Sequence, residues 1–208
     1  MAASIAERVV DALKGQAAAV DVDDVRIGLG YTAVSLADGR AGVGYTFRAE
    51  AKGGCSVFRG RRPLAGQPAA ELLALLPSAD RIEAGVGLAC ANALANSRDV
   101  QTVEGDIVDH LQLRPEDDVA MVGRFGPLID ELEQRASSLT IVEQKQSAKG
   151  DVHPAEEAAS VLARAQVALI TATSIINHTI EPLLTAASEC REVVLLGAST
   201  PLLALLFE

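Results

Sequence analysis

The chain has 208 residues and a net charge of −10, from 18 Lys plus Arg against 28 Asp plus Glu. That length allows one large domain or two small ones. With 49% hydrophobic and 22% charged residues, extended disorder is excluded. An acidic chain without a basic block is a poor partner for a phosphate backbone, so no nucleic acid partner is expected. Trp is absent, and two Tyr and four Phe leave few platforms on which bases could stack. No apolar run approaches the roughly 18–20 residues of a membrane span. Met1-Ala2-Ala3-Ser4 lacks the basic and apolar regions of a signal peptide. Cys55, Cys90 and Cys190 are odd in number, far apart and without a C-x-x-C pair. A disulfide framework is therefore not expected, and a cytoplasmic location without membrane contact is.

In chain order, Ser4-Ile5-Ala6-Glu7 reads as a capping box. Ile5, Val9 and Leu13 follow at helical spacing, predicting a helix from residue 4 to about 17. Val25, Ile27, Leu29 and Tyr31 then alternate with smaller or polar residues. The phase changes near Ala33, where Val34 and Leu36 take over, which suggests a bulge in one strand from Val25 to Leu36. Asp38-Gly39 is a two-residue hairpin turn leading into a strand from Ala41 to Phe47. A short third strand is expected through Cys55-Ser56-Val57-Phe58. Pro68 suits the first turn of a helix carrying Leu72, Leu73, Leu75 and Leu76. Pro77 ends that helix and Ser78 can cap the next, whose stripe is Ile82, Val86, Ala89, Ala93 and Leu94. Gly85 and Gly87 in that helix suggest close approach of another backbone. This half reads as a small α+β domain.

Residues 97–118 form a connector with a short helix from Asp106 to Leu111. Four short apolar strands follow: Val119–Val122, Leu139–Val142, Val167–Ile170 and Val193–Leu196, each leading into a loop and a helix. Uniformly apolar strands alternating with helices predict a parallel sheet buried on both faces, with right-handed crossovers and a Rossmann-like fold. The fold class is α/β, with an α+β first domain and a parallel second one.

Ligands of open parallel sheets bind at the carboxyl ends of the strands, near the point where strand order reverses. An order of 3-2-1-4 would set Gly123–Pro127 beside Gly197–Pro201. Both loops offer backbone amides ahead of a helix, which favours an anionic group. Gly123, Phe125, Gly197, Ser199 and Thr200 are thus candidate ligand-binding residues. The third-strand loop adds Thr171, Thr173, Ser174, Asn177 and Thr179, which read either as helix capping alone or, since a cap needs only one of the five, as ligand-binding groups as well. Glu143 lies 20 residues after Gly123, where a dinucleotide fold carries its ribose-binding acid. Phe125, however, stands where pyrophosphate approach needs Gly, so NAD is not expected. Cys90 reads as core. His178 alone reads as a solvated or capping residue, since a metal site needs at least three converging donors.

Taken together, several segments resemble the putative heavy-metal-chelation family of prokaryotic proteins. They are Val122-Gly123-Arg124-Phe125-Gly126-Pro127, Val142-Glu143, Thr171-Ala172-Thr173 with Asn177-His178-Thr179, Gly197-Ala198-Ser199-Thr200-Pro201, and Ala91-Asn92-Ala93-Leu94. Ala172 and Ala198 depart from the family's Gly and Pro. The resemblance implies an enolase N-terminal-like domain over residues 1–97 and a Rossmann-like domain over 98–208. It also implies a truncated C-terminus, since the chain ends at Phe207-Glu208 where family members continue. It further implies a ligand site in the cleft between the domains, with Asn92 contributing from the first. Two functions follow as expectations. One is binding of a metal ion or small anionic metal chelate. The other is an enzyme on a small anionic metabolite, with Glu143 as general base. The ligand metal is left open, and a homo-oligomer is compatible with either.

Overall fold

The computed structural model of the chain describes residues 3–50, 58, 61–97, 100–144 and 152–208. In chain order these form α1 (Ile5–Ala17), β1 (Val22–Ile27), β2 (Tyr31–Leu36), β3 (Ala41–Tyr45), α2 (Ala69–Leu73) and α3 (Arg81–Ala95). Then come α4 (Ile107–His110), β4 (Asp118–Val122), α5 (Gly126–Arg135), β5 (Ser138–Glu143), β6 (Val152–Pro154) and α6 (Ala158–Leu162). The chain ends with β7 (Val167–Thr171), α7 (Thr173–Ile176), α8 (Ile180–Ala186) and β8 (Glu192–Leu196), followed by a 3-10 turn at Ala204–Phe207. No helix among the described residues is long and apolar enough to cross a membrane. The chain packs as two compact units. One comprises Met1–Gln101, Ala172–Thr179 and Gly197–Glu208; the other comprises Thr102–Thr171 and Ile180–Leu196.

In the first unit the expected capping box is present. The Glu7 amide donates to Ser4 Oγ at 3.2 Å and the Ser4 amide to Glu7 Oε2 at 2.7 Å. The sheet has three antiparallel strands in the order β1-β2-β3. Asp38-Gly39 turns β2 into β3, with Gly39 at φ +89°. The expected single strand from Val25 to Leu36 is instead two. The chain reverses at Gly28–Gly30, where the Gly28 amide donates to the Tyr31 carbonyl at 2.9 Å, and β1 pairs back onto β2. The phase change near Ala33 reflects this reversal, while the register irregularity lies between Val22 and Asp24. Of the strand expected through residues 55–58, all but Phe58 lies outside the described residues, and Phe58 sits in a turn at φ +55°. Asp80, not Ser78, caps α3: its Oδ1 accepts from the Ile82 and Glu83 amides.

Helix α3 is buried along nearly its whole length and lies directly on β3. A Cβ on Gly42 would stand 2.2 Å from the Ala93 amide nitrogen and 2.4 Å from the Ala89 carbonyl oxygen. One on Gly44 would meet the Gly85 carbonyl oxygen at 2.6 Å, and one on Gly87 the Leu76 amide nitrogen at 2.3 Å. Backbone therefore packs on backbone across both faces of α3. Gly42→Ala should destabilise the protein by about 3 kcal/mol, at the upper end of the usual overpacking cost, because neither the strand nor the helix backbone can yield like a side chain. Chemical denaturation of Gly42→Ala beside Gly15→Ala checks this, since a Cβ on Gly15 meets nothing within 4 Å.

In the second unit five parallel strands run in the order β6-β5-β4-β7-β8. β6 was not expected. It is three residues long, includes Pro154 and pairs with β5 through Ile141↔Val152, Val142↔His153 and Glu143↔Pro154. So short an edge strand leaves no apolar run, and an edge tolerates proline because one side needs no donor. Counting it, the order is 3-2-1-4-5, a Rossmann-like pattern. The reversal point lies between β4 and β7. The loop opposite Gly123–Pro127 at this point is thus the one leaving Thr171, and the expected pairing with Gly197–Pro201 is corrected. One core cluster lies under the sheet, formed by Val108, Leu111, Met121, Leu132 and Leu169 among others.

Just ahead of β4 and β8 a salt bridge joins the strand starts. Arg191 Nη1 and Nη2 donate to Asp117 Oδ1 and Oδ2 at 2.9 and 2.6 Å, and the Arg114 amide adds a bond to Oδ2 at 2.7 Å. Asp117 is 1% exposed. The Arg191 guanidinium holds its carboxyl below the usual carboxylate range, against the opposing effect of burial. A carboxyl whose folded pKa is depressed contributes stability that is fully present above its unfolded value, about 3.9, and is lost as pH falls through the folded value. Urea denaturation from pH 7 down into the acid range should therefore show a loss of stability that Asp117→Asn, already weakened at pH 7, shows to a smaller extent.

Candidate functional site

At the carboxyl edge of the parallel sheet, β4 ends at Val122 and Gly123 turns the chain at φ +87°. The Gly123 amide donates to the Val142 carbonyl at 2.8 Å, which sets the turn beside the end of β5 and hence beside Glu143. A Cβ on Gly123 would stand 2.9 Å from Thr171 Cβ. Gly123, Glu143 and Thr171 thus sit at the ends of three adjacent strands, with β4 between β5 and β7. Phe125 is the N-cap residue of α5, offers no side-chain cap, and packs its half-buried ring on the core cluster below. Its own amide is taken by Met121 Sδ at 3.4 Å. The first turn of α5 carries no acidic residue, so its amino terminus presents the positive end of the helix dipole uncompensated. Gly126 and Arg124 are exposed there. Glu143 is half-buried, and among the described residues it has no ion-pair partner.

The other candidates belong to the first unit. After Thr171 the chain forms α7, with Ser174 buried and Thr173 and Asn177 half-buried. Asn177 Oδ1 accepts from the Thr179 amide at 3.2 Å and from Thr179 Oγ1 at 2.7 Å, so these two satisfy one another in a local turn. His178, at φ +56°, is exposed and bonds the Ser78 carbonyl through Nε2 at 2.9 Å. After β8, Gly197 takes φ +105° and its carbonyl accepts from the Thr200 amide and hydroxyl at 3.0 and 2.7 Å. This turn is held by Asn96: Nδ2 donates to the Thr200 carbonyl at 2.9 Å, and Oδ1 accepts from the Leu202 amide at 2.8 Å. Ser199, 2% exposed, accepts from the Tyr45 amide at 2.9 Å. Two residues earlier on β3, the Val43 carbonyl accepts from Asn92 Nδ2 at 2.7 Å. Asn92 is 1% exposed and its Oδ1 has no hydrogen-bond partner.

The fold therefore brings Asn92, Ser199 and Thr200 together in one unit, and Gly123, Phe125, Glu143 and Thr171 in the other. Asn96 was missed as a site-forming residue. Its place one helical turn beyond Asn92 was the available signal.

The donor set does not fit a ready-made heavy-metal centre. Among the described residues no three His, Cys, Asp or Glu side chains converge. Burial pushes the Cys90 thiol up to about 12, with its sulfur 3.4 Å from the Ala69 carbonyl oxygen. Such a thiol stays protonated at neutral pH, whereas metal binding needs the thiolate. Cys190 is half-buried, also pushed up by burial, and contacts the Leu162 carbonyl. Cys55 lies outside the described residues.

Comparison with known proteins gives the class. A family model described as putative heavy-metal chelation, DUF364, matches residues 106–208. A second model of the same description matches residues 10–95. The chain belongs to this family, as the sequence motifs implied. It is similar in structure to a protein of unknown function from the DUF364 family of Desulfitobacterium hafniense DCB-2. That match has a TM-score of 0.82 and 23% identity over 98% of this chain and 80% of the other. It is likewise similar to a protein of unknown function from the same family in Pyrococcus horikoshii, with a TM-score of 0.81 and 19% identity over 98% and 82% of the two chains. At these identities the likeness establishes the fold. No curated protein matches the chain.

Gly123 is the residue of this edge most constrained by its backbone. Gly123→Ala should cost at least about 1–2 kcal/mol, the penalty of a left-handed conformation for a side-chain-bearing residue, with the Thr171 contact adding to it. Thermal unfolding of Gly123→Ala against Gly126→Ala, where a Cβ meets nothing within 4 Å, measures the difference.

Proposed function

We propose that the chain binds a small anionic metal chelate at the carboxyl ends of β4 and β5, within its second unit. The observation that carries this reading is the uncapped amino terminus of α5, opening directly from the strand at the reversal point with no acid in its first turn. The helix dipole there favours an anion, and the Arg124 and Gly126 amides have no partner among the described residues, whereas those of Gly123, Phe125 and Leu128 are bonded. Glu143, at the neighbouring strand end, supplies a carboxylate oxygen to the metal that the anion carries. The family's description supports a metal-linked role. The scattered Cys and His side chains favour a metal already wrapped by a chelator over a bare ion, which would need at least three protein donors.

Calorimetric titration with Zn2+ alone and with Zn2+–citrate tests the reading. The chelate should bind at least about tenfold more tightly, a difference of roughly 1.4 kcal/mol. Tighter binding of free Zn2+ would overturn it. Glu143→Gln should weaken Zn2+–citrate about ten- to a hundredfold, as expected for loss of a charge-assisted contact. Its melting temperature should stay unchanged. Unchanged affinity with a lowered melting temperature would make Glu143 a structural residue.

A further inference from the structure

Strand β1 lies at the edge of the first unit's sheet. The chain itself uses part of that edge. Pro68 forms an antiparallel bridge with Asp21, the Val22 amide donates to the Gln67 carbonyl at 2.8 Å, and the Gly66 amide donates to the Val22 carbonyl at 2.7 Å. Beyond Val22 no backbone bond joins the two segments among the described residues. A cavity of about 340 Å3 opens there instead, lined by Val25 and Ile27 of β1 and by Phe58, Pro63, Leu64 and Ala65. Every one of these residues belongs to the first unit.

The β1 side of this slot is polar in its backbone. The Gly28 amide bonds the Tyr31 carbonyl, so by the alternation of an antiparallel pair Arg26 bonds to β2 while Val25 and Ile27 turn their backbone groups outward. The Val25 amide is satisfied by Asp24 Oδ1 at 2.8 Å. The Val25 carbonyl and the Ile27 amide and carbonyl have no hydrogen-bond partner among the described residues. Native edges of this kind are usually covered, bulged or blunted by charge, yet Ile27 is 43% exposed. Asp24 also lines the slot, but its carboxylate is paired with Arg26 at 2.6 Å, and Arg62 is likewise engaged. The slot therefore suits an uncharged occupant. Phe58, 5% exposed, takes φ +55°, a conformation rare for a bulky side chain and concentrated at functional sites.

We infer that this slot binds an extended, uncharged peptide segment, which adds to β1 as an antiparallel strand and sets one apolar side chain in the cavity. Its direction continues that of residues 66–68. One residue of the segment exchanges both bonds with Ile27: its amide donates to the Ile27 carbonyl, and its carbonyl accepts from the Ile27 amide. Opposite residues share a face of the sheet, so the side chain of that residue enters the cavity beside Val25 and Ile27. The β1 of a second copy is a poor occupant, because residues 62–65 of that copy flank its own edge. The site is independent of the anionic-chelate reading, which concerns the second unit.

The probe is the capped peptide acetyl-Thr-Thr-Leu-Thr-Thr-amide, titrated to millimolar concentration into the full chain and followed by the amide resonances of the protein. The Ile27 amide should shift on binding. Replacing the leucine by alanine should weaken binding at least about tenfold, through loss of the buried side chain. Methylating the leucine nitrogen should weaken it at least about fivefold, through loss of the bond to the Ile27 carbonyl. Ala65 is exposed, so Ala65→Phe should fill the slot and weaken the leucine peptide at least about tenfold without lowering the melting temperature. An unmoved Ile27 resonance would overturn the inference. Equal affinities for the leucine and alanine peptides would overturn the role of the cavity, and equal affinity for the methylated peptide would overturn strand addition. Dimerisation of the free protein that Ala65→Phe abolishes would assign the slot to a second copy and overturn the peptide occupant.

Discussion

The contact of α3 with β3 governs the first unit. Gly42 and Gly44 remove two Cβ atoms from the inner face of the strand, and the helix settles backbone to backbone into the space. Only at such a distance can a side chain as short as asparagine reach the strand's own carbonyl, as Asn92 does at Val43. A longer reach would have needed glutamine or lysine, with more rotamer entropy lost on burial. The same close approach brings Asn96, one turn on, to the turn after β8, where its amide both donates and accepts. Arg40, on the hairpin, reaches the Leu94 carbonyl near the end of the same helix. The polar groups of this region are therefore placed by a steric fact about glycine.

The parallel sheet separates its duties between its two ends. Ahead of β4 and β8, the Asp117 and Arg191 side chains form a paired, partly desolvated lock, with every carboxylate oxygen bonded. The Asp117 carboxylate is thereby fully engaged in holding the strand starts. At the other end the strands run out into Gly123, Glu143 and Thr171, and the helix that follows begins without a cap. An uncapped helix start costs stability, about 1 kcal/mol relative to a good cap. The unit tolerates that cost because the rigid strands beneath hold the turn, through the Gly123 amide on the Val142 carbonyl.

Much of this was legible in the residues. A capping box, a hairpin dipeptide and uniformly apolar runs are local signals, and each produced the element it implied. The failures were of another kind. Val25 to Leu36 reads as one strand with a bulge because a turn through Gly28–Gly30 also shifts the apolar phase, and alternation alone does not separate the two cases. β6 is too short to show a period and takes its strand identity from pairing with β5. Missing it moved the expected reversal point by one strand. The site residues were partly legible for the same reason. Glycine turns after apolar strands announce a carboxyl edge, so Gly123 and Glu143 could be placed. That Asn96 bridges a turn more than a hundred residues away, or that Asn92 keeps one atom unpaired, depends on tertiary neighbours that no spacing encodes.

The chemistry of the cysteines bears on what kind of metal ligand this family member can take. A chelating protein in the usual sense gathers soft donors, and thiolates lead that set. Here the Cys90 sulfur sits inside the packing of α3, and the cost of charging it there is what drives its pKa up to about 12. Cys190 is shifted the same way for the same reason. The three histidines are separately engaged, with the Glu104 carbonyl, Glu157 and the Ser78 carbonyl. The first unit instead gathers hydroxyls and two asparagines around β3 and the turn after β8, and the second carries one carboxylate, Glu143, at its strand ends. Those are hard, hydrogen-bonding groups. Such groups suit the oxygen-rich surface of a chelator better than a thiophilic ion, and their positions are set by strand ends and glycine turns. On the proposal made above, the metal arrives with most of its coordination shell already filled, and the protein reads the shell.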